Sequence, residues 1–554
     1  MAISTMPVSS QEGIPSQQMI KAEQEIFYIV KDLPFELREH VSSYLQEELY
    51  APAFSLLQNL LISGADQVSG NQQRIFLPSP QIIALASTLI VYPPLTTRLP
   101  STDKPYAADL ALRYIRHLKI IPSLNSGLAD IFTFASSDPN RSGRRRRRAS
   151  LDNGESRLEE VDGRLTTKIA TEDSIFERAD DFWSVVGWAF NCSVRHQQRW
   201  VRWHVWLEAM LDLVDKDLSD RCAETSRQDV DDNSEYDDTL VKEALISKYL
   251  TLRTSGRGEK KRIIRAILAD GSKHSLNEFG EVWKFETKPP KERSQETAQE
   301  KQLDFDNDQY GDYMDIDGDD LEADLNGNLA PRKSGRRTKA SYTNEDEDDI
   351  EEVLDENLTY TIADYGGISS ILLRQRLFGL LIRYTEHYPA GFMNTSELFD
   401  LIAEQIRPIA LHTFSHFVTP SKSWISNPHA QCALLLDLLC TITGQKPPAF
   451  KKGIIEQDDL EKYYLPATAS SSTAVDNAKV SIMVEALMRL LWKYRGLESR
   501  SSLSNAVQDG RKARFKKIEF ERKKTTQQGI ELTEQARETI SHSAMRMAAL
   551  LDVL

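Results

Sequence analysis

The sequence predicts an all-α protein, built as irregular α-solenoid-like helical blocks separated by disordered, charged linkers. Three observations carry that expectation. Apolar residues recur at helical spacing through most of the chain, alternating strand patterns are nearly absent, and the charge is concentrated in a few short segments. The chain has 554 residues, of which 40% are hydrophobic and 27% charged. That apolar share lies below the usual level for a wholly ordered body, so some long stretch is expected to stay solvated. The length suits two to four domains.

From the N-terminus, residues 1–19 read as disordered and 20–135 as a first helical block. Helices are expected at Glu36–Glu48, Phe54–Ile62 and Gln81–Tyr92. Ala107, Leu110, Ala111, Tyr114, Ile115 and Leu118 fall on one helical face, with Pro105 placed to open the first turn. Residues 136–172 form an Arg-rich linker expected to be disordered. It carries five consecutive arginines, Arg144, Arg145, Arg146, Arg147 and Arg148, followed by Ser150 in the context basophilic kinases prefer. Runs of this kind are read by import receptors or bind phosphates nonspecifically.

Residues 173–285 form a Trp-rich block, expected to pack with 20–135. Five of the eight tryptophans fall within 24 residues of it: Trp183 and Trp188 on one helix, Trp200, Trp203 and Trp206 at three-residue spacing on the next. They read as either a dense aromatic core or a partner surface. Further helices are expected at Asp181–Ala189, Trp200–Asp217, Leu240–Leu252 and Lys260–Leu268.

The acidic balance belongs to the linker 286–356. The net charge of the whole chain is −15, and Gln302 to Glu356 alone hold 19 acidic and 5 basic residues. The rest of the chain is therefore close to neutral. Dense like charge with little apolar surface predicts disorder here. A basic island (Arg332, Lys333, Arg336, Arg337, Lys339) interrupts the acidic run, and Thr343 precedes an acidic stretch favoured by acidophilic kinases.

Residues 357–497 form the C-terminal helical block. It has an apolar helix at Ile371–Tyr384, a capping pattern at Asn394 and Glu397 ahead of Leu398–Ile406, and helices at Ala430–Ile442 and Val480–Tyr494. Residues 498–554 form a basic helical tail. Arg511, Lys512, Arg514, Lys516, Lys517, Arg522, Lys523 and Lys524 are interspersed there with Phe515, Ile518 and Phe520. Such a helix could lie against phosphates, dock a partner or act as an import signal.

Catalytic chemistry finds little support. No HExxH, phosphate-binding loop, GxGxxG or GxSxG occurs, and neither frame through Gly311 or Gly318 makes a calcium loop. His412 and His416 sit at i, i+4 without a third ligand nearby in sequence. Four scattered cysteines suggest a reducing compartment. No secretory leader or membrane span is expected, and no cofactor or metal. Arg199 and His204 do form an R-x4-H pair that resembles the short signature of helical HEPN-type nucleases. That resemblance covers six residues and implies His204 as acid–base with Arg199 as phosphate clamp.

The function expected is a non-enzymatic scaffold or adaptor subunit of a chromatin, DNA-repair or ribonucleoprotein complex, located in the nucleus. Its partners would be other nuclear proteins, with nucleic acid or histone contact through the charged segments. The alternatives are direct nonspecific nucleic-acid binding through the Arg-rich linker and basic C-terminal helix, and the nuclease.

Overall fold

In the computed structural model, the described residues are 27–66, 68–69, 72–99, 105–121, 127–134, 165–231, 239–251, 256–288, 365–419, 425, 427–445, 454–494, 496–521 and 527–553. They are mostly helical, as the periodicity predicts. The exception is a small sheet that sequence pattern does not reveal. Strand β1 (Phe27–Asp32) runs parallel to β3 (Gln72–Leu77), with Phe27 opposite Gln72 and Asp32 opposite Leu77. A two-residue β2 (Val68–Ser69) pairs antiparallel on the other side of β3. Between β1 and β2 lie α1 (Phe35–Gln46) and α2 (Tyr50–Asp66), so β1 meets β3 through a helical crossover.

Helix α3 (Pro80–Leu89) starts with proline in its first turn, where the missing N–H costs nothing. The one-faced pattern after Pro105 becomes α4 (Tyr106–His117). Single turns α5 (Leu128–Ile131) and α6 (Ile175–Arg178) lead to the Trp hairpin of α7 (Phe182–Arg195) and α8 (Gln197–Asp231). The stretch expected as one helix over 240–252 is broken into α9 (Thr239–Lys242) and α10 (Leu245–Leu250). Ala244 is extended at the junction, and the Asp217 carboxylate accepts the Leu245 N–H at 2.7 Å, capping the second piece. Helices α11 (Arg257–Ile267) and α12 (Lys273–Glu278) close the N-terminal half.

The C-terminal half runs through α13 (Gly367–His387), α14 (Thr395–Ile406), α15 (Leu411–Val418) and α16 (Pro428–Thr443). The expected cap of α14 is present: the Asn394 side chain accepts the Glu397 N–H at 2.8 Å. A short α17 (Gln457–Asp459) continues into a π-turn at Leu460–Tyr464. Then come α18 (Ala474–Lys493), α19 (Ser501–Ile518) and α20 (Gln527–Val553).

Both halves bury their apolar faces in one continuous core that reaches from Leu33 to Met547. The seam between them lies along α13. Ser370 meets Ser193 at 3.3 Å, Arg374 donates to the Ile267 carbonyl at 2.7 Å, and Arg376 pairs with Asp212 at 2.6 Å. Lys260 pairs with Glu397 at 3.2 Å near the same seam. Arg374 is fully buried and no carboxylate pairs with it among the described residues. Its guanidinium lies over the Phe190 ring, 4.1 Å from the centroid, and burial pushes its pKa down to about 9. A smaller cluster (Ala474, Ala478, Ile518, Ala536, Ile540) fastens α19 and α20 to the start of α18.

Candidate functional site

The tryptophans form core. Trp183, Trp188, Trp200, Trp203 and Trp206 are all buried. Spacing on α7 and α8 turns them toward the same interior, and their polar edges are nearly all satisfied. Trp183 Nε1 donates to the Tyr249 carbonyl at 2.8 Å and Trp206 Nε1 to Ser87 Oγ at 3.0 Å. Trp188 and Trp203 both donate to one oxygen, Glu286 Oε1, at 3.0 and 2.8 Å. Glu286 is 1% exposed, although the sequence reading begins the acidic linker at this residue. No periodic signal marks it; its place three residues beyond Trp283 was the only clue.

That carboxylate also engages Arg199. Arg199 Nε donates to Glu286 Oε1 at 2.8 Å and Nη2 donates to the same oxygen. The remaining donors reach Val91 O at 2.8 Å and the Thr96 and Thr97 hydroxyls at 3.3 and 3.2 Å. Every guanidinium nitrogen is thus committed inside the protein. His204 lies five residues on, about 140° around the helix from Arg199. Its ring stands edge-on to Trp200 with centroids 5.2 Å apart. The R-x4-H pair is therefore split between a closed ion pair and a half-buried aromatic edge.

The basic tail is also divided by the fold. Arg511, Lys512 and Lys516 are exposed on α19 and Lys517 is half-buried. Arg514 is buried at 1% exposure, so it offers nothing to a phosphate. Its Nη1 donates to the Leu465 and Ala467 carbonyls at 3.0 and 2.9 Å, closing the end of the π-turn, and burial pushes its pKa down to about 10. Gly510 makes that approach feasible, because a Cβ there would sit 2.0 Å from the Leu465 oxygen. Arg144 to Arg148, Ser150, the island Arg332, Lys333, Arg336, Arg337 and Lys339, Thr343, and Arg522 to Lys524 lie outside the described residues.

A further cavity lies elsewhere, on a face that the sequence marked only through His412. An open groove of about 590 Å³ runs between α15, α18 and α20. On α20 its lining recurs at Gln528, Glu531, Gln535, Glu538, His542 and Arg546, a single stripe along the helix. Leu411, Ile482, Ala486 and Leu532 supply apolar surface. At one end Glu485 is held by Arg546 in a two-pronged pair at 2.7 Å and by Arg489 at 2.8 Å. The signal that could have found α20 is its buried stripe of Gly529, Ala536, Ile540, Ser543, Ala544 and Met547, mostly small residues at helical spacing.

His412 also lines the groove and stacks on His416, with ring centroids 5.4 Å apart. Burial, then the neighbouring His412, lowers the His416 pKa. No three potential metal ligands converge among the described residues, and no described helix is long and apolar enough to cross a membrane. No protein family, no curated protein and no solved structure matches this chain.

Proposed function

We propose that this protein is a non-enzymatic scaffold or adaptor of a nuclear assembly, of the chromatin, DNA-repair or ribonucleoprotein kind. It holds partner proteins through helix faces. In this reading the stacked helical pairs act as a solenoid-like body, and the charged segments outside the described residues serve as tethers carrying import and phosphorylation sites. The observation that carries the reading is the groove along α20: it is an open concave surface of about 590 Å³ lined by mixed polar and apolar residues. The closed Arg199–Glu286 pair weighs against the nuclease alternative.

A second reading, direct nucleic-acid binding, draws on exposed Arg511, Lys512 and Lys516. The two separate in a purification from native cells divided between nuclease-treated and untreated halves. The scaffold reading expects a defined set of nuclear proteins to survive nuclease. Loss of that set, with nucleic acid co-purifying, would put the second reading in its place.

A further inference from the structure

We infer that the α15–α18–α20 groove receives an amphipathic helix from a partner protein, with lysine or arginine on the flank that faces Glu531 and Glu538. The inference rests on the scaffold reading and assigns its site and the chemistry of its partner. The first argument is shape. The lining on α20 extends from Gln528 to Arg546, 19 residues, which is about 27 Å of helix. An open trough of that length with apolar residues along its floor suits the i, i+3, i+4, i+7 anchors of one helix laid lengthwise.

The second argument is charge. Glu485 is neutralised locally by Arg489 and Arg546. Glu531 and Glu538 are exposed, seven residues apart on one face of α20, and neither makes an ion pair among the described residues. Among the described residues, Glu531 receives only the Gln527 amide, at 3.2 Å. The wall nearest the start of α20 is thus acidic without compensation, while the far end is already paired. A partner with basic residues on the matching flank adds the missing charge; an acidic one is repelled.

The test uses the full chain and a fluorescent synthetic helix of about 18 residues, patterned with leucine on one face and lysine on the other. Two comparison peptides carry the same residues scrambled, or glutamate in place of lysine. Binding is read by anisotropy, with circular dichroism confirming that each variant folds. The patterned peptide should bind, and the comparison peptides should bind at least about tenfold more weakly. Glu531→Lys with Glu538→Lys should cost about tenfold or more, and Gln535→Trp, which fills the trough from an exposed position, should abolish binding. Glu534→Lys, exposed on α20 but outside the lining, should change nothing.

Equal binding of the scrambled peptide, indifference to Gln535→Trp, or no binding at all would overturn the inference. So would a dimer in sedimentation that Gln535→Trp converts to monomer, since a second copy would then fill the groove. A failed peptide assay beside nuclease-resistant partners in cells would remove this site and leave the scaffold reading standing. Peptide binding without any such partners would do the reverse.

Discussion

Arg199 and Glu286, 87 residues apart, meet at the centre of the tryptophan core, with Arg199 Nε 2.8 Å from Glu286 Oε1. The same oxygen takes the indole N–H groups of Trp188 and Trp203. One carboxylate thereby organises α7, α8 and the chain that leaves the N-terminal half. Arg199 is 2% and Glu286 1% exposed, so each charge depends on the other for its solvation.

Breaking this pair from one side should be costly. Glu286→Ala or Arg199→Ala should each lose about 3–5 kcal/mol in denaturant unfolding, because the survivor remains buried and unpaired. Tryptophan emission should shift to the red in both. Replacing both with apolar residues of similar volume should recover much of the loss. Single variants within about 0.5 kcal/mol of wild type would show that the pair is not the organising contact.

Two glycines predict opposite outcomes. Gly510→Ala forces a Cβ onto the Leu465 carbonyl oxygen and should cost about 2 kcal/mol or more, loosening α19 toward proteolysis. Gly258 is exposed on α11 with open space around its missing Cβ, so Gly258→Ala should stabilise by about 0.5–1 kcal/mol. Unfolding midpoints of the two variants decide the matter.

Asp437 on α16 gives a pH signature. Burial, followed by the Asp400 carboxylate, pushes its pKa from the ordinary 3.8 up to about 6. The native state therefore binds this proton more tightly than the unfolded chain. The associated stability is fully present below about pH 4 and is lost as pH rises toward about 6. Asp437→Asn should match wild type at the acid end and melt higher above pH 6. A gap in melting temperature that does not vary with pH would contradict this.

His204→Ala should leave the fold intact and change no RNA-cleavage rate above background. A specific cleavage activity lost in this variant would revive the nuclease alternative and displace the scaffold.

The helices were legible because their periodicity is local: the face from Ala107 to Leu118 and the cap at Asn394 can each be read within a dozen residues. What escaped was non-local or polar. Strands β1 and β3 pair across 45 residues, and Gln72–Leu77 shows too little alternation to announce itself. Helix α8 runs to Asp231, well beyond the apolar pattern that identified its start. Glu286 and Arg514 read as surface charge, yet tertiary packing draws both inside, where indoles and carbonyls supply their partners. The Trp pattern left core and surface both open, and only burial decided between them. The groove was hidden for a related reason: α20 packs through small residues, so its apolar stripe is faint.

The most direct test of the scaffold account compares proteins captured by the wild-type chain and by Gln535→Trp, both expressed at native level and purified after nuclease treatment. The account predicts a defined set of nuclear proteins on the wild type and selective loss of one or more of them on the folded variant. No companions on either would contradict it, whereas identical companions on both would remove the α20 groove as the contact site and leave the scaffold reading standing.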